Sequence, residues 1–216
     1  MNKRAIDMRA EKELASFLDV HLYPELLDKK GFSSFKRITD KAIQQRGIDV
    51  VGKTAAAIAN IDEKAQLHYI NNNLPTFAFE LSFLLRGEEV TGWFLNDRLE
   101  TTHYLLLWPN AKTAELSRIK SSDFTVVYGA MISKVKLKRY LSSIGLDSAT
   151  LLQINSALRR NKTSISFKDS LYDGIAFSYS ASYLEAPINI VIKKPILASI
   201  ADVQYTITPE NLIRYK

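Results

Sequence analysis

Three side chains in the stretch IDVVGKTAAAIANIDEKAQ, residues 48–66, have types and spacing that could do chemistry together: Asp49, Asp62 and Lys64. IDVV reads as a short strand, GKT as a turn and AAAIANIDEKAQLHYI as a longer strand, so a hairpin can bring Asp49 to Asp62 across the twelve residues between them. Alternate side chains of a strand share a face, which sends Asp62, Lys64 and Gln66 one way and Ile61, Glu63 and Ala65 the other. Two adjacent carboxylates repel and raise one another's pKa, a conflict that a divalent cation removes. Hard oxygen ligands in an incomplete shell suit Mg²⁺ or Mn²⁺, which keep waters and take phosphate oxygens, and the Glu63 backbone carbonyl offers a further oxygen between the two side chains. The Glu63 side chain faces away and is expected to be dispensable. An ammonium two residues after Asp62 can orient and help deprotonate a water, or stabilise charge building on a phosphate.

The elements that must position these residues follow from hydrophobic period and breakers. Leu14, Phe17, Leu18 and Leu22 recur at helical spacing within residues 9–28, and Pro24 ends or kinks that helix. KKGFSS is a loop and FKRITDKAIQQRG an irregular or partly extended approach. TFAFELSFLL reads as a strand, RGEE as a turn, THYLLLWPN as a strand closed by Pro109, TAELSRI as a short helical piece, and DFTVVYGAMI as a strand. SKVKLKRYLSSIG and DSATLLQINSALRRN read as helices, the second capped by Asp147 or Ser148. TSISF, GIAFSYSASYL and INIVIKKPIL read as strands. The order implies an α/β (α+β) domain around a mixed central sheet flanked by helices.

At 216 residues, with 46% hydrophobic and 24% charged side chains, the chain has the composition of a globular protein rather than a disordered one. No apolar run is long enough to span a membrane, and MNKRAIDMRAEKE lacks the apolar segment of a signal peptide, so no membrane partner is expected. Zero cysteines exclude disulfides and thiolate metal sites, and a cytoplasmic location is the expectation. The net charge of +6 is concentrated between residues 112 and 162, where Lys112, Arg118, Lys120, Lys134, Lys136, Lys138, Arg139, Arg159, Arg160 and Lys162 face only Glu115, Asp123 and Asp147. A localised basic surface could neutralise phosphates, or simply be a solvated face.

The same residues carry a family resemblance. Gly47-Ile48-Asp49 followed by Asp62-Glu63-Lys64 resembles the PD-(D/E)xK signature of restriction-endonuclease-like nucleases, with isoleucine where proline often precedes the first aspartate. Gln66 falls where many members carry a glutamine, and QQRGID at 44–49 resembles the lead-in of several branches. GWFLNDRLETTHYLLLWPN at 92–110 resembles a segment of uncharacterised bacterial and phage members. The resemblance spans about residues 10–108 and implies a restriction-endonuclease-like fold with Mg²⁺ or Mn²⁺ as cofactor. The metal would be held by Asp49, Asp62, the Glu63 carbonyl and an acid on the first helix, Glu11 or, one turn before Phe17, Glu13. Lys64 and Gln66 would complete the catalytic set. The expected activity is endo- or exonucleolytic hydrolysis of nucleic acid, DNA ahead of RNA, by a single domain that pairs as a homodimer. Residues 10–108 would form its core, and 110–216 would add basic helices and strands.

Two other readings compete. A catalytically inactive module of the same fold would bind nucleic acid or a protein partner. GIDVVGKT at 47–54 also fits G-x-x-x-x-G-K-T, but a phosphate-binding loop must open a helix. His21, His68 and His103 lack ligand partners at helical spacing, and of these His68, two residues past Gln66, is placed for a substrate contact. Glu80 interrupts an aromatic strand, as a strand edge facing water or an accessory acid would.

Overall fold

In a computed structural model that describes residues 3–27 and 32–215, the chain adopts the expected mixed α/β architecture. A seven-stranded sheet and a four-stranded sheet belong to two compact units, each assembled from separate stretches of chain. The first unit takes residues 1–74, 101–133 and 201–216, and the second takes 75–100 and 134–200. Each therefore draws on both sides of the boundary expected near residue 109. No helix among the described residues is long and apolar enough to cross a membrane.

The first unit begins with α1 (Lys3–His21), followed by the single turn α2 (Tyr23–Leu26). Pro24 sits in the opening turn of α2, where its missing N–H costs nothing. Then come β1 (Phe32–Arg37), the short α3 (Lys41–Gln44), β2 (Val50–Thr54) and β3 (Ile58–Ala65). The sheet continues through β6 (His103–Ala111), β7 (Phe124–Ser133), β10 (Val203–Ile207) and β11 (Leu212–Tyr215), in the order β1-β2-β3-β6-β7-β10-β11. Only β3 and β6 run parallel, and all other neighbours are antiparallel. Leu14, Phe17 and Leu18 of α1, with Leu22 just after it, are buried against Val50, Ile61, Leu105 and Leu107, one face of the central strands. Each such side chain contributes about 1.5–3 kcal/mol by leaving water.

The second unit holds the antiparallel sheet β5-β4-β9-β8, made of β4 (Thr76–Leu85), β5 (Glu88–Thr91), β8 (Ile175–Tyr179) and β9 (Ile188–Lys193). Arg86 and Gly87, both at positive φ, form the two-residue turn between β4 and β5. The helices are α4 (Lys134–Ser143), α5 (Ser148–Asn161) and α6 (Lys194–Ile200), with α5 lying on β4 and β9. Asp147 caps α5 by accepting a hydrogen bond from the Thr150 N–H.

Several local readings need correction: Phe32, Ser33 and Ser34 of KKGFSS open β1 rather than lie in a loop, and TSISF makes only an isolated bridge at Ile165. GKT is not a turn: Gly52, Lys53 and Thr54 continue β2, and the reversal falls on Ala55–Ala57, where the Thr54 hydroxyl accepts from the Ala57 N–H. Gly52 is needed for closeness rather than for a turn, since a Cβ there would stand 2.9 Å from the Phe35 ring. Pro109 does not close β6. Its missing N–H lies on the side where the pairing with β3 has already ended at Ala65–Leu107, so the strand runs on. TAELSRI forms turns rather than a helix, and in INIVIKKPIL the strand gives way at Lys194 to α6, with Pro195 in its first turn.

Candidate functional site

The β2–β3 hairpin does what the spacing requires. Val50 pairs with Ile61, and extending the register one step puts Asp49 opposite Asp62. The Asp49 N–H donates to the Ile61 carbonyl at 2.9 Å, and the Asp49 carbonyl accepts from the Ile38 N–H at 2.8 Å. Its side-chain Oδ2 accepts from the Glu63 N–H, also at 2.8 Å. The loop leading into Asp49 turns at Gly47, whose φ of 77° favours glycine, and the buried Thr101 hydroxyl donates to the Gly47 carbonyl at 2.7 Å.

Asp62 is 2% exposed. One of its oxygens, Oδ1, takes the Lys64 ammonium at 2.7 Å. The other, Oδ2, is buried with no hydrogen-bond partner, and a buried acceptor left open costs about 1–3 kcal/mol. Burial raises the Asp49 carboxyl to about 6, with the neighbouring Asp62 charge adding to it and the Glu63 N–H and Lys64 opposing. For Lys64, burial acts to lower the pKa, but Asp62, Asp49 and Glu11 outweigh it and hold the ammonium above its ordinary value. Lys64 is thus a resident cation among acids rather than a neutral base.

Contacts distinguish the two helix acids. Glu13 accepts a hydrogen bond from the Ser121 N–H at 2.8 Å, which ties α1 to the turn before β7. Glu11 reaches solvent yet is hemmed in by protein on one side. Loss of water raises its carboxyl, Asp49 and Asp7 add to the rise, and Lys64 and His68 oppose it. Glu11 therefore lies within electrostatic reach of the hairpin pair. One helical turn earlier stands Asp7, which the sequence did not single out, with His68 Nε2 3.3 Å from its Oδ1. Gln66 ends β3: its N–H donates to the Leu107 carbonyl and its backbone then turns into the short helix Leu67–Tyr69. The structure thus brings together Asp49, Asp62 and Lys64, places Glu11 nearby, and puts Gln66 at the strand end.

Glu63 departs from expectation. Its side chain faces away from Asp62, as the alternation requires, but it is not idle. Arg37 grips it with two hydrogen bonds, Nη1 to Oε2 at 2.8 Å and Nη2 to Oε1 at 3.0 Å, and the buried Tyr23 hydroxyl donates to Oε1. Removing one partner of a buried pair strands the other, so loss of this side chain is expected to cost stability.

The residues present fit a hard cation in one respect: Asp62 Oδ2 is buried with no hydrogen-bond partner other than the facing Asp49 carboxyl, which can donate to Asp62 only while it is protonated. They do not converge into a closed cage, because among the described residues no group of three His, Asp or Glu side chains has metal-holding geometry. The strand conformation of residues 50–54, followed by a second strand, removes the phosphate-binding-loop reading. The basic stretch also divides: Lys112, Arg118 and Lys120 belong to the first unit and the other seven cations to the second. Of those seven, Lys138 pairs with Asp97 and Arg159 is held by Ser82 and Ala186. Glu80 belongs to the second unit, on β4 between two neighbouring strands. Comparison with family models, curated proteins and solved structures returns no match for the chain.

Proposed function

We propose that Asp49, Asp62 and Lys64 form the centre of a divalent-cation-dependent nuclease of the restriction-endonuclease-like type, hydrolysing phosphodiester bonds, with DNA as the preferred substrate. The observation that carries this reading is the buried, unpartnered Asp62 Oδ2 opposite Asp49, with Lys64 on the other oxygen of the same carboxylate. Asp49, Asp62 and the Glu63 carbonyl would hold Mg²⁺ or Mn²⁺, with Glu11 completing the acidic set. The Glu63 carbonyl shares the strand edge from which its N–H reaches Asp49. Such a cation supplies charge neutralisation at the scissile phosphate and lowers the pKa of a bound water.

The chain's own groups do the rest. Asp49 and Asp62 position by their fixed backbone. The Lys64 ammonium, kept protonated by three carboxylates, donates to a phosphate oxygen and stabilises the charge that grows there. Gln66, at the end of β3, supports the turn that follows. The test is incubation of wild type and Asp62→Asn with single- and double-stranded DNA and RNA in Mg²⁺ or Mn²⁺. Cation-dependent cleavage by wild type and its loss in Asp62→Asn are expected, and no cleavage by wild type in any combination overturns the reading.

A second reading rests on the Lys64–Asp62 pair itself, which at 2.7 Å already neutralises one carboxylate without a metal. The chain would then be a non-catalytic module of the same fold that binds nucleic acid. It requires salt-sensitive DNA binding that survives Lys64→Met and no cleavage at any cation concentration.

A further inference from the structure

We infer that the Arg37–Glu63 ion pair, on the opposite face of β3 from Asp62, is a clamp that positions Asp49. The inference rests on the proposed metal-dependent centre for its consequence, and on the hydrogen-bond pattern alone for its geometry. Asp49 stands just outside β2, so the ladder does not fix it fully. It has three ties: its N–H to Ile61, its carbonyl to the Ile38 N–H, and its carboxylate to the Glu63 N–H. Two of the three come from the clamp. Ile38 directly follows Arg37, and Glu63 is the clamp's other end, so the paired side chains join behind the sheet the two backbone segments that hold Asp49 in front of it.

Arg37 is itself locked. Its Nε donates to Asp19 at 2.7 and 2.8 Å, and Nη2 also reaches the Ala15 carbonyl at 3.4 Å, which ties α1 to the same point. The helix that carries Glu11 and the strand end that carries Asp49 are therefore registered against one guanidinium. Arginine's planar fork makes this possible: two terminal nitrogens bind Glu63 side by side while Nε serves Asp19, a geometry that lysine's single nitrogen does not reproduce. A buried pair of this kind adds little to stability over an apolar substitute, so its use here is geometric. The side chains of Arg37, Glu63 and Tyr23 accordingly act by positioning, while the Glu63 backbone faces the site.

The experiment uses the full chain and two readouts on wild type, Arg37→Met, Arg37→Lys and the double variant Arg37→Met/Glu63→Leu. The first, independent of any metal, is hydrogen exchange and chemical shift of the residue-63 amide by NMR, in samples whose fold is verified by the remaining amide spectrum. The second is Mn²⁺ affinity by titration calorimetry. In folded Arg37→Met and Arg37→Lys, the residue-63 amide is expected to lose protection, and Mn²⁺ affinity to fall about 10–100-fold, as for other groups that orient ligands. The double variant, with both charges removed, should recover thermal stability without recovering affinity. Wild-type amide protection and wild-type affinity in folded Arg37→Met overturn the clamp, as does recovery of affinity together with stability in the double variant. Absence of Mn²⁺ binding by wild type overturns the metal-dependent centre instead, and the residue-63 amide alone then decides the clamp.

Discussion

Ser82, Asn155 and Arg159 in the second unit and Asp49, Asp62 and Lys64 in the first are clusters of polar side chains withdrawn from water, and the two are built differently. In the second unit Ser82, 2% exposed, donates to Asn155 Oδ1 at 2.8 Å and accepts from Arg159 Nη2 at 2.7 Å, while Asn155 Nδ2 donates to Glu89 at 2.8 Å. Burial acts to raise Glu89, but hydrogen bonds from Ser82, Asn155 and Arg159 outweigh it and pull its pKa below the ordinary carboxylate value. In the first unit the Asp49 carboxyl is pushed up to about 6, and Asp62 keeps an oxygen with no partner. One cluster supplies its own counter-charges and holds β4 to α5. The other sets one cation, Lys64, among Asp49, Asp62 and Glu11 where two strands meet. Arg159 Nε in the second unit also lacks a hydrogen-bond partner but stands 3.5 Å from Glu89, whereas Asp62 Oδ2 has no cation on it, and the proposed cation-dependent reading turns on that difference.

That contrast can be broken from either side. The largest effect is expected at Lys64: Lys64→Met should lower cleavage by about 10²–10³-fold, about 3–4 kcal/mol, measured as single-turnover rates at saturating Mn²⁺. Unchanged rates would remove Lys64 from the chemistry. Next comes the pH response of Asp49. Its folded pKa, about 6, lies above the value of the unfolded chain, so the native state holds the proton more tightly. This contribution to stability is full below about pH 4 and is lost as pH rises to about 6, a change on the order of 2–3 kcal/mol. In chelator, the thermal midpoint of wild type should therefore fall relative to Asp49→Asn over that window. Mn²⁺ at pH 7.5 should restore the wild type and leave the variant unmoved.

The cluster around Ser82 should behave in the opposite way. Ser82→Ala strands Asn155 Oδ1 and Arg159 Nη2 and should destabilise by about 1–3 kcal/mol in urea titrations, with no dependence on divalent cation. The smallest effect is expected at Thr101→Val. It removes the hydroxyl that holds Gly47 and should cost about 1 kcal/mol, read as a lowered urea midpoint with cleavage retained.

What the sequence revealed, it revealed through period. Two β-forming runs with carboxylates at their facing ends bring Asp49 and Asp62 together whatever the turn between them, so the pairing survives a misplaced turn. That misplacement comes from treating glycine as punctuation. Gly52 lies inside β2 because two aromatic rings press on it, which depends on Phe32 and Phe35 from another strand. α6 is hidden in the sequence because IVIKKPIL is strongly apolar on both sides of its lysines and its break lies only in Pro195. The use of Glu63 is not legible at all. Strand alternation says only that it faces away, and its partners Tyr23 and Arg37 lie forty and twenty-six residues earlier. Glu11 and Glu13 both stand on the first helix, and distant contacts separate them: the Ser121 amide takes Glu13, while Asp49 and Lys64 act on Glu11.

The threading of the large sheet has a consequence in time. β7 lies between β6 and β10, and Met131 pairs with Val203, so one side of the sheet is completed only after all of the second unit's residues 134–200 have been made. Pairings this distant in sequence close slowly, because the intervening chain must surrender its freedom first. During synthesis the two aspartates emerge early and are then held on an unfinished platform. A chaperone that shields partly formed sheet edges should accordingly associate with nascent chains from the synthesis of β7 until β10 has docked, and release them in a single late step.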